Sequence, residues 1–279
     1  MSKIGGLKTK GIEKISKDRE PLISIITVVY NGEKHIEQTI NSVLNQTYNN
    51  IEYIIIDGDS TDGTLNIIER YEDQIDYYIS EPDGGISDAF NKGIALARGE
   101  WIGLINADDW YEPDSCQTVA KHNEYDFLFG TVRYWDGERS YTDRAKPEII
   151  SEDMRINHPT LFVKRQLYEE LGVYDKSLKL AMDYDLVLRL FRANKRYINI
   201  ERIMANMRTE GISQQFWVKS KIEAKEVKIR HGVPKYEASK YLMTIRFKRY
   251  ILDLLKRYNL SFLHRAYQNI FKKNPKFHQ

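Results

Sequence analysis

Residues 81–109 read EPDGGISDAFNKGIALARGEWIGLINADD, and this stretch decides the fold. A glycine-rich turn leads into apolar residues at helical spacing, and the apolar strand WIGLI follows. That strand stops at Asn106, Asp108 and Asp109. Adjacent carboxylates repel each other and lose hydration on burial, so such a pair lies either in a solvated turn or beside a cation.

The same alternation of strand and helix precedes this stretch. The first strand is PLISIITVVYN, the second is IEYIIIDG and the third is IDYYIS, and a helical pattern follows each of the first two. This alternation predicts an α/β protein with a Rossmann-like, mostly parallel sheet and helices on both faces. In such sheets, ligands bind beyond the carboxyl ends of the strands.

These strand ends share acceptor side chains or flexible turns. They are Tyr30-Asn31, Asp57 to Ser60, Asp83 to Gly85 and Asn106 to Asp109. Because the carboxyl ends of parallel strands meet at one edge of a sheet, this concentration of Asp and Gly predicts a ligand crevice rather than unrelated turns.

The second half of the chain has a mixed pattern. It reads as a helix at PDSCQTVAKHN, a hairpin at YDFLFGTVRYWDGERSYTD, a strand at HPTLFVKR, and helices at QLYEELG and MDYDLVLRLFRAN. We expect this half to complete the site that the first half opens.

Composition narrows the class of protein. With 279 residues, of which 42% are hydrophobic, the chain can bury a sizeable core. Its one cysteine, Cys116, excludes an intramolecular disulfide and fits a reducing compartment. The N-terminal segment lacks the apolar run of a secretory signal, and no stretch approaches the roughly 20 apolar residues that span a bilayer. We therefore expect a cytoplasmic protein rather than an integral membrane protein.

With these elements placed, the sequence resembles glycosyltransferase family 2, the inverting enzymes of the GT-A fold that use nucleotide-sugar donors. The resemblance rests on SIITVVYN, IIIDGDSTDGT, the stretch quoted first and MDYDLVLRL, which occur in the order and at the spacing typical of the family. The implied organisation is a polar N-terminal leader (1–20), a GT-A catalytic domain (21–213) with a nucleotide-binding half (21–112) and an acceptor half (113–213), and a basic amphipathic C-terminal helical region (214–279).

The resemblance assigns a role to the acidic strand end. NADD matches the DxD motif, whose second carboxylate binds a divalent cation that bridges the donor diphosphate. The match places the metal ligand at Asp108, with Asp109 beside it and Asn106 and Ala107 contacting the donor. A hard cation with oxygen ligands, Mn²⁺ or Mg²⁺, is the implied cofactor.

The resemblance also assigns donor contacts. Asp57 matches the residue that reads the uracil edge and Asp83 lies on the other side of the base, which gives selectivity because carboxylates accept the imide N–H. An ordinary turn residue is the alternative for Asp57. The remaining predicted donor contacts are Tyr30, Asn31, Asp88 and Lys92. Asp88 and Lys92 lie four residues apart on one helix, where a surface ion pair is the alternative.

MDYDL resembles the motif that carries the catalytic base of the family. Inversion needs a carboxylate to take the proton from the attacking hydroxyl, and the match assigns this role to Asp183. Met182 stands where the family usually has Glu. Asp185 is the second candidate for the base, and a helix-capping role is the alternative for Asp183.

Other polar residues are candidates for the acceptor site or for a lid over the phosphates. They are His158, Arg208, Gly211 and Ser213. A structural role for the histidine and an ordinary loop at RTEGIS are the alternatives.

The implied function is metal-dependent, inverting transfer of a sugar from a nucleotide-sugar, UDP-linked by the Asp57 match, to a hydroxyl of a saccharide or lipid-linked saccharide in surface polysaccharide synthesis. One alternative is a sugar nucleotidyltransferase, although VVYNGEKHI lacks the basic, glycine-rich phosphate loop expected there. The other alternative is a non-catalytic nucleotide- or membrane-binding protein.

Charge is distributed unevenly along the chain. Residues 241–279 carry nine Lys and Arg against one acid, a balance of +8, whereas the rest of the chain stands at −6. Helical spacing separates an apolar set, Met243, Phe247, Ile251, Leu254 and Tyr258, from a basic set, Arg246, Arg249, Lys256 and Arg257. We expect peripheral attachment to an anionic membrane surface on its cytoplasmic side through residues of about 241–273, and no nucleic acid as partner. A helix packed on the domain is the alternative.

Overall fold

The computed structural model describes residues 2–209 and 216–258. The described strands are β1 (Lys3–Gly5), β2 (Ile23–Val29), β3 (Ile51–Asp57), β4 (Tyr77–Ser80), β5 (Trp101–Asn106), β6 (Trp110–Tyr111), β7 (Phe127–Asp136), β8 (Arg139–Asp143), β9 (Phe162–Lys164) and β10 (Tyr197–Arg208). The described α-helices are α1 (Ile36–Leu44), α2 (Thr64–Glu69), α3 (Ile86–Leu96), α4 (Ser115–Ala120), α5 (Arg165–Leu171), α6 (Met182–Arg192), α7 (Trp217–Arg230) and α8 (Lys235–Arg257).

All the strands form one mixed sheet in the order β1-β4-β3-β2-β5-β9-β7-β10-β6, with β8 paired to β7. The strands β4, β3, β2 and β5 are parallel, as the sequence predicts. Every residue of β2 and β3 is buried, which explains their nearly continuous apolar sequences. The strand β9 runs antiparallel between β5 and β7, and β10 runs parallel to β7.

Two apolar layers cover the faces of the sheet. On one face Ile26 and Ile54 pack with Phe90 of α3, and on the other Ile25 and Ile55 pack with residues of α1. Gly93 lets α3 lie close to the sheet, because a β-carbon at this position would overlap the Ile26 side chain. This packing holds α3 against the middle of β2 and β3.

The N-terminal segment, expected as a polar leader, forms part of the sheet. The strand β1 pairs antiparallel with β4, and a 3₁₀ helix follows at Leu7–Lys10. The Lys8 ammonium lies 2.7 Å from the buried Glu52 carboxylate, and the Lys14 ammonium lies 2.8 Å from the buried Asp76 carboxylate. The charges that make this segment look solvated in the sequence are partners for buried acids.

The chain divides into two compact units, residues 1–227 and 228–279, so the first unit continues past the expected domain end at Ser213. In the second unit, α8 exposes apolar side chains at Tyr236, Met243, Phe247 and Tyr250, and Tyr258 is exposed directly after the helix, whereas Ile251 and Leu254 are half-buried. The side chains of the four basic residues of the predicted set lie outside the described part, as do residues 259–279. No described helix is long and apolar enough to cross a membrane.

Candidate functional site

The Asp57 carboxylate ends β3 and is fully buried. It accepts hydrogen bonds from the Ser60 hydroxyl at 2.5 Å, the Ser60 backbone N–H at 3.1 Å and the Ser80 hydroxyl at 2.6 Å. The turn that follows is tied to the end of β2, because the Asn31 side chain accepts a hydrogen bond from the Thr61 N–H at 2.9 Å. The ends of β2 and β3 are therefore joined by hydrogen bonds.

The side chains of Asp83 and Tyr30 lie close to Gly58 at this edge of the sheet. A β-carbon on Gly58 would lie 2.7 Å from Oδ2 of Asp83 and 3.5 Å from the ring of Tyr30, and that ring is 66% exposed. The other oxygen of Asp83 accepts the Gly85 N–H at 2.7 Å. An exposed aromatic ring and a carboxylate therefore border the end of β3.

Asp88 and Lys92 do not pair with each other. Asp88 accepts the Gly84 N–H at 2.9 Å and forms an ion pair with Lys176 at 2.6 Å, and these contacts lower its pKa. Lys92 forms an ion pair with Glu81 at 2.7 Å. Both side chains stabilise the loops around the glycine-rich turn.

The NADD turn is fixed from α1. The Thr39 hydroxyl lies within hydrogen-bonding distance of the carbonyls of Ala107, at 2.8 Å, and Asp109, at 2.7 Å. The two carboxylates of the turn have different surroundings. Asp108 is half-buried and has no hydrogen bond or ion pair to the described residues. Asp109 is only 2% exposed, and burial together with the neighbouring Asp108 raises its pKa well above the usual range, whereas the backbone N–H and charge of Arg208 lower it.

His158 lies between this turn and α6. Its Nε2 is 3.0 Å from the Asn106 amide nitrogen and 3.8 Å from Oδ2 of Asp109, and its Nδ1 is 3.8 Å from Oδ2 of Asp183. Burial lowers the pKa of the imidazole, although Asp183 and Asp108 act in the opposite direction. Because the amide donates to Nε2, the neutral ring carries its proton on Nδ1, facing Asp183.

Asp183 is the carboxylate of α6 that faces the site. Burial raises its pKa, while His158 and the Tyr174 hydroxyl act in the opposite direction. Asp185, the second candidate for the base, is engaged elsewhere, because it accepts a hydrogen bond from Arg189 at 2.9 Å. The N-cap residue of α6 is Ala181, so Asp183 does not occupy the capping position.

Buried acceptor atoms converge around the imidazole. Oδ1 of Asn106, Oδ2 of Asp109 and Oδ1 of Asp183 are buried and have no hydrogen-bond partner within the described part of the chain. Buried polar atoms in folded proteins are normally hydrogen-bonded, so a cluster of exceptions indicates a site that receives donors or cations from a ligand.

Of the remaining candidates for the lid, the structure describes Arg208 alone. The Arg208 guanidinium lies 5.0 Å from the Trp110 ring and donates to Gln38 at 2.5 Å, beside the NADD turn. Gly211 and Ser213 lie outside the described residues. Sequence reasoning missed Thr39 and Tyr174, because nothing in the local sequence around either residue indicates its contact with a distant segment.

The oxygen ligands at this edge fit a divalent cation. The described residues contain no group of three or more His, Cys, Asp or Glu side chains that could hold a metal unaided. Mg²⁺ and similar ions are commonly bound by one or two carboxylates together with substrate phosphates and water. The unengaged Asp108 carboxylate and the unpartnered oxygen of Asp109 match that arrangement.

Comparison with known proteins defines the class. A structure of S. aureus TarS 1–349 in complex with UDP-GlcNAc matches with a TM-score of 0.62 at 19% identity, over 79% of this chain and 70% of that one. The mannosyltransferase PcManGT from Pyrobaculum calidifontis, in complex with GDP-Man and Mn²⁺, matches with a TM-score of 0.62 at 17% identity, over 93% and 90% of the two chains. The fold is therefore that of the GT-A glycosyltransferases.

The family is shown by sequence. Residues 24–182, more than half of the chain, match Glycosyl transferase family 2, and the chain belongs to this family. An uncharacterized glycosyltransferase of Rickettsia typhi is 31% identical over 65% of this chain and 62% of its own length. Chondroitin synthase of Escherichia coli is 32% identical over 66% of this chain and 28% of its own length. The chain thus spans less than two thirds of these relatives.

Proposed function

We propose that this protein transfers a sugar from a UDP-sugar to a hydroxyl of a saccharide or lipid-linked saccharide, with inversion and with the help of a divalent cation. The observation that carries the proposal is the convergence of the NADD turn, His158 and Asp183 at the carboxyl edge of the parallel sheet. The relatives named chondroitin synthase and hyaluronan synthase favour a role in polysaccharide synthesis.

The uracil base would bind at the ends of β2 and β3, near Asp57, Asp83 and Tyr30. A carboxylate offers about four lone-pair positions. Three donors already engage Asp57, which leaves one lone-pair position, and because the side chain is fully buried the Ser60 turn must move for the imide N–H to reach it. Asp83 borders the other side, and Tyr30 offers an exposed ring for stacking. TarS, a structural relative, was solved with UDP-GlcNAc, which supports a uridine donor.

Asp108 would hold Mn²⁺ or Mg²⁺, with Asp109 behind it. Mn²⁺ in the mannosyltransferase relative supports such an ion. The ion supplies positive charge that stabilises the departing diphosphate. Asn106 and Ala107 belong to the same turn and would contact the ribose and the sugar of the donor.

Asp183 takes the proton from the attacking hydroxyl. Burial makes this carboxylate a stronger base than an ordinary Asp, and Nδ1 of His158 lies 3.8 Å from its Oδ2. The hydroxyl then attacks the anomeric carbon from the side opposite the diphosphate. The single displacement inverts the configuration at that carbon.

A screen of UDP-, GDP- and dTDP-sugars for metal-dependent hydrolysis tests the proposal, because slow transfer to water requires no known acceptor. We expect hydrolysis of a UDP-sugar that stops when the metal is chelated. Asp108→Ala should abolish metal-dependent UDP binding in calorimetry, whereas Asp183→Asn should keep UDP binding and lose about 10²-fold or more in turnover. Wild-type turnover in Asp183→Asn would reject the base, and metal-dependent UDP affinity unchanged in Asp108→Ala would transfer the metal role to Asp109.

We also propose peripheral attachment to an anionic membrane, on its cytoplasmic side, through α8. Tyr236, Met243, Phe247 and Tyr250 are spaced to lie along one side of the helix, Tyr258 follows directly after it, and each is at least 61% exposed. The sequence around them is strongly basic, and each Lys or Arg near an anionic surface contributes about 1 kcal/mol to binding. An exposed aromatic stripe within a basic helix is typical of interfacial membrane helices.

Phe247→Glu and Thr244→Glu form a matched pair for this second proposal. Both residues are exposed on α8 and both changes add one negative charge, but only the first removes a ring from the stripe. Burial of a phenylalanine side chain stabilises binding by about 1.5–3 kcal/mol, so Phe247→Glu should weaken co-sedimentation with anionic liposomes about tenfold or more beyond Thr244→Glu. Equal effects, or no liposome binding by the wild-type chain at low salt, would reject attachment through this stripe.

A further inference from the structure

The helix that carries Asp183 has its N-terminus held by a side chain from another helix. The first N–H groups of an α-helix need acceptors, and Ala181 at the N-cap of α6 provides no side-chain oxygen. Glu223 of α7 instead binds the N–H groups of the N-cap residue and of the two residues before it. One of its carboxylate oxygens accepts the Lys179 N–H at 3.0 Å, and the other accepts the N–H groups of Leu180 at 2.5 Å and Ala181 at 2.6 Å.

The segment before α6 is fixed to α3 at its other end. The Asn91 amide forms two hydrogen bonds with the Tyr174 backbone, at 2.8 and 2.9 Å, and the Ser87 hydroxyl donates to the Leu178 carbonyl at 2.9 Å. These contacts end at Leu178, and the Glu223 carboxylate contacts the next three residues. Of these contacts with the segment before α6, those of Glu223 lie nearest to Asp183, which follows two residues after the last amide that Glu223 binds.

The neighbouring side chain cannot take over this role. Met182, directly before Asp183, is 5% exposed and packs in the apolar core, so it supplies no hydrogen-bond acceptor to the helix start. A carboxylate at a helix N-terminus also interacts favourably with the helix dipole. Loss of Glu223 would leave three backbone N–H groups without this acceptor and would allow the first turn of α6 to shift.

We propose that Glu223 is a positioning residue for glycosyl transfer, which fixes the start of α6 and thereby holds Asp183 against His158 and the attacking hydroxyl. This inference rests on the proposed function, because the base is assigned there. A displacement of about 1 Å at a reacting group can slow a reaction by about 10²-fold, so a small shift of this turn is sufficient to impair turnover.

Glu223→Ala and Glu226→Ala form the matched pair. Both glutamates belong to α7 and both changes remove one negative charge, but Glu226 is exposed. Turnover is measured as metal-dependent hydrolysis of the UDP-sugar found in the screen, and UDP affinity is measured by calorimetry. We expect Glu223→Ala to lower kcat about tenfold or more with UDP affinity within about twofold of wild type. Glu226→Ala should match wild type in both.

The double variant Asp183→Asn with Glu223→Ala separates positioning from a general loss of structure. If Glu223 acts through Asp183, the double variant is no slower than Asp183→Asn alone. The inference would be overturned if the two single losses of kcat multiplied in the double variant. It would also be overturned if Glu223→Ala lost UDP affinity in parallel with kcat, or if that variant had normal kcat. If Glu223→Ala does not fold, Glu223→Gln takes its place, with a smaller loss of kcat that Asp183→Asn again masks. Wild-type turnover in Asp183→Asn alone would instead reject the base assignment of the proposed function.

Discussion

The buried ion pair between Lys8 and Glu52 makes the N-terminal segment part of the fold, and Lys8→Ala tests this. The Lys8 ammonium lies 2.7 Å from Glu52, and the two side chains are 15% and 2% exposed. Without Lys8, the Glu52 carboxylate would stay buried with no cation beside it. Breaking a buried pair costs about 3–5 kcal/mol. Because Glu52 also accepts the Arg98 N–H at 2.8 Å, we expect the lower end, about 3 kcal/mol.

Lys10→Ala is the matched control in the same segment. Lys10 pairs with Asp73 at 2.6 Å, but the side chains are 45% and 87% exposed, so water screens the pair and its loss should not change stability measurably. Urea unfolding of the two variants compares their free energies of unfolding. In a separate thermal unfolding experiment, Lys8→Ala should lower Tm by about 2–4 °C for each kcal/mol lost. Lys8→Met combined with Glu52→Gln should recover part of the loss, because no charge remains buried. Equal stabilities of Lys8→Ala and Lys10→Ala would refute the reasoning.

Three further predictions concern the base and the core. Burial raises the pKa of Asp183 in the folded state, so its charge opposes folding at neutral pH. Asp183→Asn should therefore be more stable than wild type in urea at pH 7. This gain in stability should vanish as pH falls below the pKa that the Asp183 carboxyl group has in the unfolded chain. Wild-type turnover should fall toward low pH with a midpoint above the usual Asp value of 3.8, because the base must be deprotonated, and a midpoint at or below 3.8 would contradict a buried carboxylate as base. Gly93→Ala should lower the free energy of unfolding by about 1–3 kcal/mol, because its β-carbon would overlap Ile26, and unchanged urea unfolding would contradict the close approach of α3.

The sequence predicts the parallel half of the fold well, because burial leaves a strong pattern there. Strands β2 and β3 are buried on both faces, so almost every residue must be apolar and the strand ends stand out as the first polar residues. The same reasoning predicts the hairpin of β7 and β8, whose turn has Gly137 in the left-handed conformation. The strand β10 gives no such signal, since much of it is exposed and polar and apolar residues do not alternate cleanly.

Contacts between segments far apart in the chain could not be predicted from one sequence. Lys8 and Glu223 are ordinary charged residues in polar surroundings, and solvated side chains are the usual outcome for such residues. Each is instead a partner for groups in a distant segment, Glu52 for Lys8 and the backbone before α6 for Glu223. The periodicity of apolar residues indicates which face of a helix or strand is buried, but it does not indicate which charged side chains form pairs.

The adjacent carboxylates of the NADD turn also show what one sequence cannot predict, here the difference between two neighbouring residues. Their position after a buried strand predicts a ligand edge, yet the sequence alone does not separate the role of Asp108 from that of Asp109. The structure separates their surroundings: Asp109 is buried, with a raised pKa, and Asp108 remains at the crevice with its carboxylate unengaged by the described residues. Two carboxylates this close repel each other, and a cation bound beside them would offset that repulsion. If the roles divide in this way, metal binding should strengthen as pH rises. Asp109→Asn should shift this dependence to lower pH without abolishing metal binding. If Asp109→Asn instead abolished metal-dependent UDP binding while Asp108→Asn left it intact, Asp109 would be the metal ligand.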